Sequence, residues 1–139
     1  MDTRGRHLLV EYIGCNKSLL NDIPQIQNLM EQAAVAANCK VVASVFHPFK
    51  PQGVSGVVVI EESHLSIHTW PEHNYAAVDF FTCGQGKPEA AHEVLLVGLQ
   101  ASNYELIHVD RGVLTGDSFM RVNRITFNPD NSSLESAQI

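Results

Sequence analysis

Between Lys40 and Thr82 the chain runs through four strand-like segments whose gaps leave room only for hairpins. Lys40–Phe46 and Val54–Ile60 are separated by the turn-rich run HPFKPQG (His47 to Gly53). His64–Trp70 and Tyr75–Thr82 are separated by Pro71-Glu72-His73-Asn74. A parallel pair needs a crossover of about a dozen residues or more, so successive strands here are antiparallel. Val54–Ile60 is apolar and rich in β-branched residues, which predicts a central strand.

The flanking segments supply the second layer. Asn21-Asp22 caps a helix with Pro24 in its first turn, and Ile23, Ile26, Met30, Ala33 and Ala37 form one apolar stripe. Pro88 to Gln100 repeats the pattern, with Ala91, Val94, Leu95, Gly98 and Leu99 inward. His7–Ile13, Tyr104–Val109 and Phe119–Phe127 read as further strands. The expected class is α+β, a two-layer sandwich with two helices on one face of an antiparallel sheet. Residues 1–127 make one domain, and the polar segment 128–139 is expected to be disordered.

Charge and cysteine usage narrow the function. A net charge of -6 argues against nucleic acid and anionic membrane surfaces as partners. No segment has the roughly 20 apolar residues of a membrane span, and Met1 to Arg6 leads into no signal-peptide core. Cys15, Cys39 and Cys83 are odd in number and lack the close pairing of zinc or redox motifs, which suits free thiols in a cytoplasm.

The run ESHLSIHTWPE (Glu62 to Glu72) is the unusual one. Leu65, Ile67 and Thr69 alternate as the buried face of a strand, yet the opposite face carries His64, Ser66, His68 and Trp70. With a loop at residues 71–74, Trp70 opposes Tyr75, His68 opposes Ala77, Ser66 opposes Asp79, and His64 opposes Phe81. Glu62 then faces Cys83, which sets the thiol beside the Glu62-Ser63 bond. Leu65, Ile67, Val78 and Phe80 face the helices, and the polar face must meet water, a ligand or another subunit. His64 and His68 are roughly 13 Å apart along a strand, too far to share a metal ion, so no metal is expected.

GRHLLVEY (Gly5 to Tyr12), FHPFKPQGVSGVVVI (Phe46 to Ile60), ESHLSIHTWPE and YAAVDFFTCG (Tyr75 to Gly84) resemble the prokaryotic type of the S-adenosylmethionine decarboxylase proenzyme family. The likeness runs in register from Gly5 to Gly84 and weakens after Lys87. It implies that Ser63 cleaves the chain after Glu62 and becomes a covalent pyruvoyl cofactor. The serine hydroxyl attacks the preceding carbonyl and turns the amide into an ester. Elimination then expels the Glu62 carboxylate, leaving a dehydroalanine that hydrolyses to pyruvate and ammonia. Only a residue with a leaving atom on Cβ can do this, and serine needs a nearby base or donor. The resemblance assigns that support to His68 and Ser55.

It also implies the rest of the site. The pyruvoyl carbonyl would form a Schiff base with the substrate amine, and the adjacent amide carbonyl would take up the electrons released with carbon dioxide. Cys83 matches the proton donor. Phe49 and His68 stack on adenine, Glu72 binds the ribose hydroxyls, and Glu11 is a candidate contact for the cationic part of the substrate. Trp70 is a packing residue beside that pocket. His68 lies five residues beyond Ser63, roughly 17 Å along an extended strand and on the other face. A homodimer packing polar face on polar face would bring His68 of one subunit to Ser63 of the other, and the resemblance implies such shared sites.

Three functions follow. The first is decarboxylation of S-adenosylmethionine, supplying the aminopropyl donor for spermidine. The second keeps the pyruvoyl machinery but acts on arginine or ornithine, since the chemistry is substrate-neutral and Tyr104–Phe127 departs from the family's shorter ending. Phe49 and Glu72 favour the nucleoside substrate. The third is a non-catalytic homologue, which intact Glu62, Ser63, His68, Ser55 and Cys83 oppose.

Overall fold

The computed structural model describes residues 2–127. Seven strands form one sheet: β1 (Gly5–Ile13), β2 (Val41–Pro48), β3 (Val54–Ile60), β4 (Ser63–Trp70), β5 (Tyr75–Cys83), β6 (Asn103–Leu114) and β7 (Asp117–Phe127). Their spatial order is β2-β3-β4-β5-β1-β6-β7, and every neighbouring pair is antiparallel. Helices α1 (Ile23–Ala36) and α2 (Pro88–Gly98) cover one face, giving the expected α+β two-layer arrangement. The segment 128–139, expected to be a disordered tail, lies outside the described residues.

Local chemistry sets the helix ends. The Asp22 side chain accepts from the Gln25 backbone N–H at 3.1 Å, with Pro24 in the first turn, so α1 starts where its cap predicts. Both helices stop at a residue of positive φ, Asn38 (62°) and Gln100 (55°). Cys39 N–H bonds back to the Ala34 carbonyl and Ala101 N–H to that of Leu96, closing each last turn. This reversal ends α2 at Gly98, short of the expected Gln100. A Cβ on Gly98 would lie 2.2 Å from Leu29 Cδ1, so glycine is what lets the two helices approach this closely.

The core lies between helices and sheet. Leu8, Val10, Val58, Leu65, Ile67 and Phe80 of the sheet meet Ile26, Met30, Leu95 and Leu99 of the helix layer, all essentially inaccessible. Each such side chain contributes roughly 1.5–3 kcal/mol by leaving water. Leu65, Ile67, Val78 and Phe80 face the helices, as their alternation predicts.

One strand is misplaced by the sequence reading. β3 is second from an edge, and β5 is the central strand. The apolar run of β3 suggests burial on both faces, but its outer face, represented by Val59, is exposed. Cross-strand partners put Val45, Val59, Leu9, Ile107 and Val122 on that same outer face, all exposed. The helix-free side of the sheet is therefore apolar over much of its width, with a polar cluster at its centre. Among the described residues no helix is long and apolar enough to cross a membrane.

Candidate active site

β3 and β4 are joined by a two-residue turn, Glu61-Glu62, with Ile60 paired to Ser63. The Glu62-Ser63 bond is thus the last link of a tight hairpin turn, and Ser63 is the half-buried first residue of β4. The β4–β5 register matches expectation from Trp70 opposite Tyr75 to His64 opposite Phe81. It does not extend to the expected Glu62–Cys83 pair: Glu62 is drawn into the turn, and Cys83 pairs only on its other side, with Gly5 of β1. The two residues nevertheless remain within electrostatic reach. Burial raises the Cys83 thiol, and the Asp2 and Glu62 carboxylates push it the same way, against the pull of Arg111. A cavity of about 440 Å³ opens at this end of the sheet, lined in part by Gly5, Arg6, Thr82 and Gly84.

A second cluster occupies the far end of β4. Ser55 Oγ lies 2.7 Å from His68 Nδ1 across the β3–β4 ladder. The Phe49 ring tilts toward His68 and Trp70, with centroids 6.4 and 6.3 Å away. Trp70 stacks on Tyr75 at 5.2 Å, and the Tyr75 hydroxyl donates to Glu11. Burial and then the Glu11 carboxylate raise the Tyr75 phenol, keeping it a donor. Glu72 sits in the 3-10 turn Pro71–His73 that follows β4. Phe49, Ser55, His68 and Glu11 therefore gather on the helix-free face, with Glu72 at its edge.

The two clusters do not meet within one chain. Neither ladder flanking β4 carries a bulge, so the strand runs straight from Ser63 to His68, a span of roughly 17 Å.

Between them lies a group of which the sequence reading placed His64, Ser66 and Asp79 on the polar face but missed His7 and Arg111. Asp79 Oδ2 is 2.5 Å from His7 Nε2 and 3.0 Å from His64 Nε2, and Ser66 donates to its other oxygen. The donor atoms of His7, His64 and Asp79 lie within 4.8 Å of one another, a spacing compatible with a metal ion. Arg111 Nη1, however, lies 3.1 Å from His7 Nδ1. A guanidinium can only donate, so Nδ1 is the accepting nitrogen and the ring proton sits on Nε2, facing Asp79. That arrangement is a hydrogen-bonded relay rather than a set of metal ligands. β1 brings His7 to Asp79 from the far end of the sequence, and no local signal announces the pairing.

The relay has a measurable signature. Burial raises Asp79, but hydrogen bonds from His7, Ser66 and His64 outweigh it and hold the carboxyl at about 2 instead of 3.8. A carboxyl depressed in the folded state stabilises it above the unfolded value, and that contribution is lost as pH falls from 3.8 toward about 2. Melting temperature should decline through this window, and Asp79→Asn should flatten the decline. An equal slope in both proteins would mean that the relay carries none of the acid sensitivity.

Comparison with known proteins adds a family pattern to this geometry. The sequence profile described as S-adenosylmethionine decarboxylase matches residues 6–112. The chain is 50% identical over 114 residues to an S-adenosylmethionine decarboxylase proenzyme of Caldanaerobacter subterraneus subsp. tengcongensis, covering 81% of this chain and 92% of that one. It is 46% identical over 124 residues to the proenzyme of Moorella thermoacetica, covering 88% and 99%. The crystal structure of the adenosylmethionine decarboxylase from Aquifex aeolicus superposes with a TM-score of 0.76 at 33% identity, over 86% of this chain and 99% of that one.

Proposed function

This chain belongs to the S-adenosylmethionine decarboxylase family, and from that membership we propose that it cuts itself between Glu62 and Ser63 and then decarboxylates S-adenosylmethionine for spermidine synthesis. The observation that carries this reading is the Glu62-Ser63 bond at a two-residue turn with Cys83 in electrostatic reach. A pyruvoyl group would fit position 63: the residue heads a strand directly after a tight turn and is half-buried. Once formed, that group supplies the electron sink for the departing carbon dioxide.

The remaining work falls to this chain's own side chains. Cys83, whose thiol is raised from its ordinary value by burial, serves as the proton donor. Phe49 and His68 stack on the adenine, with Trp70 fixing the strip from beside it. Glu72 accepts from the ribose hydroxyls, and Glu11 faces the substrate's cationic centre. Ser55 holds the His68 ring in position through its 2.7 Å contact and supports processing with it.

We infer further that a second copy of the chain covers the helix-free face. Support comes from the exposed Leu9, Val45, Val59, Ile107 and Val122. The unbroken run of β4 keeps His68 roughly 17 Å from the Glu62-Ser63 bond of its own chain and supports a site in which His68 reaches that bond in its partner, at the end of the sheet. Cys15, Cys39 and Cys83 are free, which suits a reducing cytoplasm.

The test is release of labelled carbon dioxide from carboxyl-labelled S-adenosylmethionine, arginine and ornithine. The cleaved protein should act on the first and leave the other two. Release only from an amino acid would overturn the substrate, and no release from any would overturn the activity.

A further inference from the structure

Thr82 is buried, at 2% exposure, and its Oγ1 has no hydrogen-bond partner among the described residues. An orphaned interior hydroxyl is an unfavourable state that folded chains generally avoid. Its position suggests what it waits for. The β4–β5 ladder ends with His64 opposite Phe81, and the next step of the same register sets Ser63 opposite Thr82. Directly opposed side chains lie roughly 4.5–5.5 Å apart at Cβ.

Strand parity sharpens the pairing. Ser63 shares the helix-side face with Leu65 and Ile67, and Thr82 shares it with Phe80 and Val78. His64, His68, Ser55 and Cys83 belong to the other face. The neighbours that the flanking strands set beside Ser63 on its own face are therefore Ile60, which is apolar, and Thr82. Gly86 closes over this spot: a Cβ there would lie 2.8 Å from Thr82 Cβ and 3.3 Å from Cys39 Sγ. The glycine lets the loop pack closely against the Thr82 side chain, whose hydroxyl is inaccessible.

We propose that the Thr82 hydroxyl takes part in self-cleavage, donating a hydrogen bond to the Glu62 carbonyl oxygen as Ser63 adds to that carbonyl. The inference rests on the self-cleavage reading above. Ser63 Oγ forms a bond to the Glu62 carbonyl carbon, and negative charge grows on the carbonyl oxygen, where Thr82 stabilises it. The carbon–nitrogen bond then breaks, and the proton that left Oγ ends on the Ser63 nitrogen. The product is an ester, with nothing gained or lost overall. A buried donor aimed at developing charge is most effective where water is excluded.

Cleavage is followed by mass spectrometry in wild type, Thr82→Val, Thr82→Ser and Ser63→Ala. Thr82→Val keeps the shape without the hydroxyl, and should slow cleavage on the order of 10²-fold, the loss typical of one missing oxyanion donor. Thr82→Ser should restore most of the rate. The melting temperature of Thr82→Val should equal or exceed that of wild type, because an unpaired polar atom is removed. Hydroxylamine, which cuts esters, should yield no fragments from uncleaved Thr82→Val. Cleavage at the wild-type rate, a lowered melting temperature, or an accumulated hydroxylamine-sensitive ester would each overturn the assignment. A wild type that stays whole, or a cut Ser63→Ala chain, would instead overturn self-cleavage itself.

Discussion

Under denaturing conditions the purified protein should separate into residues 1–62 and 63–139, while Ser63→Ala should remain one chain of 139 residues. Alanine carries no oxygen on Cβ, so neither acyl transfer nor elimination is open to it. The effect is therefore all or none rather than a change of rate. The bond is suited to attack because it joins a turn residue to the first residue of β4, and the ladder does not extend beyond Ser63 on that side. The longer fragment should also resist amino-terminal sequencing, since it begins with a keto group instead of an amine. Wild-type protein that stays whole yet decarboxylates at full rate would exclude the pyruvoyl route.

Coexpression of Ser63→Ala and His68→Ala chains should rescue a processing defect that each shows alone. In a mixed dimer with sites shared across the two-fold, one site pairs an intact Ser63 with an intact His68 from the partner, and the other lacks both. Only the chain carrying His68→Ala should then be cut, because it alone retains the serine. If His68 served its own chain, neither site would be complete and coexpression would rescue nothing. Mass spectrometry of differently tagged subunits separates the outcomes. The span of roughly 17 Å between the residues on a strand without bulges makes the first the expected one. Failure to complement in dimers proven to be mixed would sink the shared site.

What could be read from sequence was whatever depends on near neighbours. Trp70 opposes Tyr75 because a short loop dictates it, and Asp22 caps α1 because its side chain needs only the residues that follow. The Ser55–His68 contact also joins adjacent strands, β3 and β4, but the two residues were singled out through the family resemblance and not through a register. Long-range placement was not legible. β1 lies between β5 and β6, far from both in sequence, and only that insertion brings His7 and Arg111 to Asp79. Glu62 was expected opposite Cys83, but the alternation of side chains says nothing about where a ladder stops. The orphaned Thr82 hydroxyl is invisible in sequence, since an absent partner can be recognised only when every neighbour is placed.

Strand order has a consequence for the fate of the mature protein. A cut after Glu62 leaves β1, β2 and β3 on one fragment and β4 to β7 on the other. The sheet then reads two strands of the first piece, two of the second, one of the first and two of the second. β1 is clasped between β5 and β6, so the nicked molecule can come apart only by breaking three strand interfaces at once. The pieces stay together without a covalent link. Unfolding, however, changes character. A precursor chain holds all seven strands and refolds its sheet without a second fragment, whereas the processed form must find its missing half by diffusion, and its recovery slows as concentration falls.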